Sequence, residues 1–212
     1  MSRPLLLIAA SGLAREVLPV VHEAGRDVLG FLDDRYEELP RTVGGAPVLG
    51  GIDDIPLYPD AELLVCVGSG VGRELVVARL SDLGVDASRY ATVVDPSVRN
   101  PGACPVGVGS ILLAGVVITA DAVIGAHVVA MPRVTITHDC LIDDFATFAA
   151  GVTLGGGVRI GRGAYLGMNA SVRQGLSIGA GATVGMGAVV ISNIQDSETW
   201  AGVPARPLGV TA

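Results

Sequence analysis

The sequence predicts two domains: a small α/β domain over residues 1–92 and a triangular, all-β parallel solenoid over residues 93–212. Two observations support this prediction. In the first part of the chain, strand and helix patterns alternate, which is typical of a parallel sheet covered by helices. In the second part, one aliphatic residue recurs at every sixth position, and this period fits neither a helix nor an ordinary strand.

The α/β domain is predicted from short apolar runs that end at glycine turns or acidic residues. Strand, helix, strand, then strand and helix imply a small parallel sheet with Rossmann-like connections. A segment rich in Pro and Gly, residues 40–51, is predicted to be a loop. The predicted elements are strands over 5–9, 28–32, 63–67 and 90–94, and helices over 12–24 and 73–83.

The solenoid is predicted from a six-residue repeat that keeps its phase from Leu112 to Val190. A second apolar residue, mostly small, follows each anchor by four positions. Three repeats make one triangular coil of about eighteen residues, in which the anchors point inward and the small residues fit near the corners. The anchors are Leu112, Ile118, Ile124, Ala130, Ile136, Ile142, Phe148, Leu154, Ile160, Leu166, Val172, Ile178, Val184 and Val190.

Composition excludes several functions. The net charge of -7 argues against nucleic acid or an anionic membrane surface as a partner. All fourteen basic residues are Arg, which excludes a Schiff-base lysine or a P-loop lysine. No apolar run reaches the roughly eighteen residues of a membrane helix. The three cysteines, Cys66, Cys104 and Cys140, are far apart and odd in number, and they predict reduced thiols in a cytoplasmic protein.

Two glycine turns of the α/β domain follow strands and precede helices, where backbone N–H groups bind anions. The first turn contains Ser11 and Gly12, and the second is the G-x-G-x-G run 68–72. Asp33 and Asp34 end the second predicted strand, at the place where a nucleotide site needs an acid. Neither turn has the full dinucleotide fingerprint. A nucleotide site and a pair of ordinary βα turns therefore both remain open.

The histidines are the candidate catalytic groups. His22 falls late in the first helix, and His127 and His138 fall at different corners of the solenoid. The eighteen-residue coil places Gly156 over His138, so that a backbone N–H lies about 5 Å from a candidate base. Asp139 is placed to hold the imidazole in one tautomer. Spacing alone leaves two possibilities for His138, a catalytic base or a surface side chain.

Several segments together resemble one family of enzymes. These segments are 11–17 and 31–34 in the first domain and 137–145, 160–167 and 202–206 in the solenoid. They are similar to the sugar acyltransferases of the sialic acid O-acetyltransferase and bacillosamine N-acetyltransferase type. The similarity covers nearly the whole chain. It implies a left-handed parallel β-helix (hexapeptide repeat) and a homotrimer with active sites between subunits. Acetyl-CoA would be the acyl donor, and the α/β domain would hold a nucleotide-linked sugar.

The resemblance also implies roles for individual residues. His138 would be the general base and Asp139 its orienting partner, while the N–H of Gly156 would stabilise the oxyanion. The implied cofactor-binding residues are Gly156, Gly167, Met168, Gly185, Met186, Pro204 and Arg206. The implied substrate-binding residues are Ser11, Gly12, Asp33, Asp34, Gly68 and Arg73. No metal is implied.

The chain departs from the family pattern at three positions. The pattern usually has Gly in place of Asp143, a second His in place of Thr147, and an aromatic residue or His in place of Leu13. In bacillosamine-type enzymes the second His contacts substrate or cofactor. Its replacement by Thr147 leaves the identity of the acceptor sugar open.

The preferred prediction is acetyl transfer from acetyl-CoA to the amino group of a nucleotide-linked 4-amino-4,6-dideoxy sugar. O-acetylation of sialic acid or a related sugar is the first alternative, and a non-catalytic solenoid scaffold is the second. A zinc enzyme on the same solenoid needs three converging histidines. The separation of His22, His127 and His138 disfavours it.

Overall fold

The computed structural model describes residues 3–209, and it confirms the fold class predicted from the sequence: a Rossmann-like α/β unit followed by a parallel β-helix. The elements of the α/β unit are β1 (Leu5–Ile8), α1 (Gly12–Glu23), β2 (Val28–Leu32), β3 (Thr42–Val43), β4 (Ala46–Gly50), a 3₁₀ helix (Ile52–Leu57), β5 (Glu62–Val65), α2 (Gly70–Asp82) and a second 3₁₀ helix (Ala87–Arg89).

The α/β unit has three layers. Its sheet has the order β3-β4-β2-β1-β5, and the pairs of β1 with β2, β1 with β5 and β2 with β4 are parallel. The buried side chains of α1 pack with Leu5 and Leu7 on one side of the sheet. On the other side, α2 packs through Leu80 against Leu6 and Ile8. Ser11 and Ser69 cap the two helices by accepting hydrogen bonds from the first turn.

The segment predicted to be a loop contains a β-hairpin instead. The strands β3 and β4 pair antiparallel around Gly44 and Gly45, both of which have positive φ. Two residues with positive φ match the tight turns that join antiparallel strands, and a Gly-Gly pair adopts them without strain. The prediction of a loop was wrong because it weighed the Pro and Gly content and overlooked this hairpin signal.

The β-helix has three faces. The first face contains β6 (Val93–Val94), β7 (Ile111–Leu112), β10 (Val129–Ala130), β13 (Thr147–Phe148), β16 (Tyr165–Leu166), β19 (Thr183–Val184), β21 (Thr199–Ala201) and β22 (Arg206–Pro207). The second contains β8 (Val117–Ile118), β11 (Thr135–Ile136), β14 (Thr153–Leu154), β17 (Ser171–Val172) and β20 (Val189–Val190). The third contains β9 (Val123–Ile124), β12 (Leu141–Ile142), β15 (Arg159–Ile160) and β18 (Ser177–Ile178).

The coil length is the predicted eighteen residues. Val129 pairs with Thr147 and Thr147 with Tyr165, at intervals of eighteen residues. The last coil is two residues shorter, because Thr183 pairs with Thr199. The anchors and the small residues near the corners form one continuous core. Ala146 and Ala164 are completely buried there, which explains why small side chains are favoured in this phase.

The α/β unit lies on the first face of the β-helix. The outward side chains Ile111 and Val129 of that face are buried in the same cluster as α1 and the first side of the sheet. The predicted strand over 90–94 is divided between the two units. Tyr90 bridges to Leu63 of the α/β sheet, whereas β6 pairs with β7 and begins the β-helix.

Within residues 3–209, no helix combines the length and the apolar character needed to cross a membrane.

Replacing the buried anchor Ile160 by Ala should cost about 2–5 kcal/mol of unfolding free energy, because it removes apolar contacts and leaves a cavity in a packed core. Urea titration at fixed protein concentration measures the change. Arg159→Ala is the matched control in the same strand, since its side chain is exposed, and it should change stability by about 0.5 kcal/mol or less. Equal effects for the two variants would contradict the inward placement of the anchor phase.

Candidate active site

The candidate base His138 lies at the corner between the second and third faces, in the turn from β11 to β12. Its side chain is 65% exposed, and its Nδ1 lies 2.7 Å from Oδ2 of Asp139. Because a carboxylate only accepts hydrogen bonds, this contact places the proton on Nδ1 and leaves Nε2 as the acceptor. The pair therefore presents a basic nitrogen to solvent at the surface of the β-helix.

Gly156 lies in the next coil, directly against the imidazole of His138. A Cβ atom at Gly156 would lie 2.3 Å from Cε1 and 2.4 Å from Nε2 of the ring, so only glycine leaves room for it. The neighbouring N–H of Gly157 donates to the carbonyl of His138, which fixes the two turns relative to each other. Among residues 3–209, no acceptor bonds the N–H of Gly156. A basic nitrogen and an available N–H donor therefore lie side by side.

Four of the residues implied to bind CoA lie at another corner, between the first and second faces: Gly167, Met168, Gly185 and Met186. Met168 and Met186 are eighteen residues apart, occupy successive coils, and are 48% and 71% exposed. Gly167 and Gly185 allow the coils to stack closely. A Cβ at Gly167 would lie 2.6 Å from the nitrogen of Met186, and a Cβ at Gly185 would lie 2.8 Å from Cβ of Ala201. The corner therefore offers two exposed methionines on a closely packed backbone.

Pro204 and Arg206 lie beyond the last complete coil. Both are exposed, and they belong to the segment in which β22 pairs antiparallel with β21. The Val203–Pro204 peptide bond is cis. The guanidinium of Arg206 donates to the carbonyl of Ala205 and keeps its remaining donors towards solvent. This end of the β-helix thus presents one exposed cation on the same face as β16 and β19.

A single chain does not bring the base and the methionines together. His138 lies at one edge of the second face, and Met168 and Met186 lie at its other edge. An apolar groove of about 480 Å³ borders Met168 and is formed with α1 through Glu16, Pro19 and Val20. His138 does not line this groove.

In the α/β unit, the structure brings Ser11, Gly12 and Asp33 together. The carboxylate of Asp33 is buried and accepts hydrogen bonds from the N–H groups of Ala10 and Arg35, both at 2.9 Å. Ser11 donates to the carbonyl of Cys66 at 2.6 Å. These side chains hold the turns at the carboxyl ends of β1 and β2 in place.

A groove of about 490 Å³ opens at this edge of the sheet, and Ser11 and Gly12 line it together with Arg15 and Arg35. The two arginines are exposed cations. The sequence prediction did not include them. Their signal was available, because Arg35 directly follows Asp33 and Asp34 and Arg15 lies three residues after Gly12, in a chain with a net negative charge.

Asp34 faces the other side of the sheet. Its carboxylate pairs with Arg79 of α2 at 2.6 Å and accepts a hydrogen bond from the N–H of Ile52. Partial burial acts to raise the pKa of Asp34, but the hydrogen bonds with Arg79 and Ile52 outweigh it, so that the pKa is lowered. Asp34 therefore has a structural partner and does not join Asp33 at the groove.

Gly68 and Arg73 are also separated from the groove. Arg73 is completely buried where α2 meets the β-helix, and its guanidinium donates to carbonyl groups of both units, including that of Gly68. Burial lowers the pKa of Arg73 to about 10, which still leaves it charged at neutral pH. Arg73, which the resemblance implies to be a substrate-binding residue, thus contacts both units in the folded chain.

The three departures from the family pattern have structural explanations. Thr147 is buried, and its hydroxyl donates to the carbonyl of Gly68 and accepts from Arg73. Leu13 is buried in the core under α1, whereas Asp143 is exposed on the surface of the β-helix. None of the three contacts His138, and Thr147 belongs to the contact between the two units.

His22 is exposed on α1, whereas His127 is buried at the corner between the third and first faces. The ring of His127 stacks on Phe145 at 5.1 Å and meets Tyr90 edge-on. Burial, together with the nearby positive charge of Arg73, lowers the pKa of His127 to about 4, although Asp144 acts in the opposite direction. His127 is therefore a neutral packing residue at pH 7. Within residues 3–209, no three His, Cys, Asp or Glu side chains converge as metal ligands.

Comparisons with known proteins agree on one kind of relative. The PglD N-terminal domain matches residues 4–80. The structure is similar to a histidine-to-asparagine variant of perosamine N-acetyltransferase from Caulobacter crescentus in complex with CoA and GDP-perosamine, with 28% identity over 97% of each chain and a TM-score of 0.89. Among curated protein sequences, none matches the chain.

Two further solved structures show higher identity. The acetyltransferase domain of PglB from Neisseria gonorrhoeae, in complex with acetyl coenzyme A, is 31% identical over 98% of this chain and 100% of that chain, with a TM-score of 0.89. WeeI from Acinetobacter baumannii shows the same identity and coverage with a TM-score of 0.86.

The buried His127 should make the protein acid-sensitive. Between pH 6.5 and about 4, His127 binds a proton in the unfolded chain but not in the folded chain. The free energy of unfolding therefore has its full value above pH 6.5 and falls by about 3 kcal/mol towards pH 4. His127→Asn should flatten this part of the curve of unfolding free energy against pH, because Asn does not titrate and tolerates the positive φ of this position.

The matched control is His22→Gln, which removes an exposed histidine and should leave the slope unchanged. Urea unfolding at a series of pH values measures both. Parallel curves for His127→Asn and the unaltered protein would show that His127 is not the group responsible.

Proposed function

The chain belongs to the hexapeptide-repeat family of CoA-dependent sugar N-acetyltransferases, and on this basis we propose that it transfers the acetyl group of acetyl-CoA to the amino group of a nucleotide-linked 4-amino-4,6-dideoxy sugar. The observation that supports the catalytic part is the contact of the His138–Asp139 pair with the Gly156 backbone. The relative with GDP-perosamine and CoA supports the choice of an amino sugar and of nitrogen as the acceptor atom.

His138 is the proposed general base. Its Nε2 takes a proton from the sugar amine as the nitrogen attacks the thioester carbonyl, while Asp139 stabilises the imidazolium that forms. The N–H of Gly156 donates to the carbonyl oxygen as negative charge develops there. The imidazolium then returns the proton to the departing thiolate of CoA. Holding the two substrates next to each other supplies the remaining acceleration.

The proposed substrate site is the groove at the carboxyl ends of β1 and β2. Ser11, Gly12 and Asp33 shape its backbone, and Arg15 and Arg35 present positive charge to the diphosphate of the nucleotide sugar. The proposed CoA site is the corner with Met168 and Met186, together with Gly167, Gly185, Pro204 and Arg206 along the same side of the β-helix. Arg206 is the cation available to the phosphates of CoA.

We also propose a cytoplasmic location. All three cysteines are free and buried, and burial raises the pKa of the Cys66 thiol to about 12, as expected of structural thiols in a reducing compartment.

The activity is tested by mixing the protein with acetyl-CoA and GDP-, UDP- or dTDP-linked 4-amino sugars and following CoA release. His138→Ala should lower kcat by roughly 10²- to 10⁴-fold, because it removes the base. Gly156→Ala should also lower kcat, since its Cβ displaces the imidazole. His22→Gln is the control and should retain full activity. Turnover that survives His138→Ala would exclude His138 as the base, and acetylation of CMP-linked or free sialic acid alone would favour O-acetylation.

The separation of His138 from Met168 and Met186 supports a homotrimer in which neighbouring chains complete each site. Coexpressing His138→Ala with Met186→Arg tests this assembly. Each variant alone should be inactive, whereas a random mixture should recover about one quarter of full activity, since one interface in four then has an intact base and an intact CoA corner. A mixture of folded trimers without activity would place the whole site within one chain.

A further inference from the structure

The second glycine turn of the α/β unit is packed against the β-helix. This turn, residues 68–72, includes the first residues of α2 and meets the corner between the third and first faces. At Gly70 a Cβ would lie 2.2 Å from the carbonyl oxygen of Phe145 and 3.2 Å from Cα of Gly163. The two backbones therefore touch at a point where no side chain fits. A nucleotide phosphate has no access to this part of the turn.

Arg73, one turn of helix later, joins the two units through six hydrogen bonds. On the side of the α/β unit, Nη1 donates to the carbonyls of Val67 and Gly68 at 2.6 and 3.3 Å. On the side of the β-helix, the acceptors are the carbonyls of His127 at 2.7 Å, Phe145 at 2.9 Å and Ala146 at 3.2 Å, and the hydroxyl of Thr147 at 3.0 Å. His127 and Phe145 are eighteen residues apart, so one guanidinium binds two successive coils.

All six acceptors are neutral, so the buried charge of Arg73 is stabilised by carbonyl dipoles and one hydroxyl. A buried charge without hydrogen bonds is strongly unfavourable, and the contact is therefore sensitive to any shift of its acceptors. The planar guanidinium group can donate hydrogen bonds to acceptors in several fixed directions at once, and the ammonium group of Lys cannot. The apolar contact of α1 with the first face lacks such directionality. The exposed ion pair of Glu74 with Arg162 also joins the two units, but exposed pairs contribute little to stability. Arg73 is thus the main directional contact that fixes the orientation of the α/β unit.

We propose that Arg73, together with Gly70, is a positioning device for acetyl transfer: it holds the nucleotide-sugar groove at a fixed distance and angle from the acetyl-transfer site on the β-helix. This inference rests on the proposed function. Thr147 belongs to the same device, because its hydroxyl accepts a hydrogen bond from the Arg73 guanidinium and donates one to the carbonyl of Gly68. Because the device does not contact either substrate, its loss affects the alignment of the bound substrates and leaves each binding site intact.

The test compares Arg73→Lys and Gly70→Ala with the unaltered protein. Both should lower kcat by about 10- to 100-fold, because misplacement by about 1 Å is enough to cost such a factor. The Kd of GDP or UDP and the KM of acetyl-CoA should change by less than about threefold. Glu74→Gln is the matched control on the same turn of α2, since it removes only the exposed ion pair with Arg162, and it should leave kcat unchanged.

Hydrogen exchange gives a readout that does not require turnover. In Arg73→Lys and Gly70→Ala, amides of residues 68–74 and 143–149 should exchange faster, while amides of the α/β sheet and of the distant coils keep their protection. These data test the contact even if no amino sugar in the panel is acetylated, which separates a failure of this inference from a failure of the proposed function.

Two results would overturn the inference. An unchanged kcat in both variants, with faster exchange at the contact, would show that orientation does not limit transfer. A nucleotide Kd that rises tenfold or more in Arg73→Lys, with kcat unchanged, would make Arg73 a nucleotide ligand after all.

Discussion

The parallel stacking of coils at intervals of eighteen residues is the constraint on which the rest of the structure depends. Along most of the β-helix, the backbone N–H groups of a strand donate to carbonyl groups of a neighbouring coil, so a side chain there lies over the side chain eighteen residues away. The placement of His138 against Gly156 follows from this rule. The stack of His127 on Phe145 and the pair of exposed methionines follow from it as well.

The turns between strands give this regular framework its chemistry. Asp139 and His127 both have positive φ, because the chain turns from one face to the next within a few residues at each corner. At one corner the turn exposes the imidazole of His138 beside a glycine. At another, the same geometry buries His127 between Phe145 and the α/β unit. Neighbouring positions of the six-residue repeat are therefore exposed or buried according to what covers the corner.

The α/β unit shows how far local sequence signals extend. Strand β2 was predicted with its observed bounds, because a buried strand between a glycine and an acidic pair is a strong local signal. The hairpin of β3 and β4 was mistaken for a loop. In the candidate site, Ser11, Gly12 and Asp33 do meet at one edge of the sheet, but Asp34, Gly68 and Arg73 do not join them. A pattern of glycines specifies a turn, and it does not specify what packs against that turn.

The sequence by itself determined the coil length, the inward phase and the stacking partner of His138. Strands that pair at intervals of eighteen residues fix which residues are neighbours in space. Only the tertiary structure decided that Arg73 is buried between the two units, with acceptors up to 74 residues away in the chain. It also decided that Thr147 completes the set of hydrogen-bond acceptors around this charge. Those outcomes depend on how the folded α/β unit packs against the folded β-helix. The periodicity of the sequence does not indicate the free energy of burying a charge at that contact.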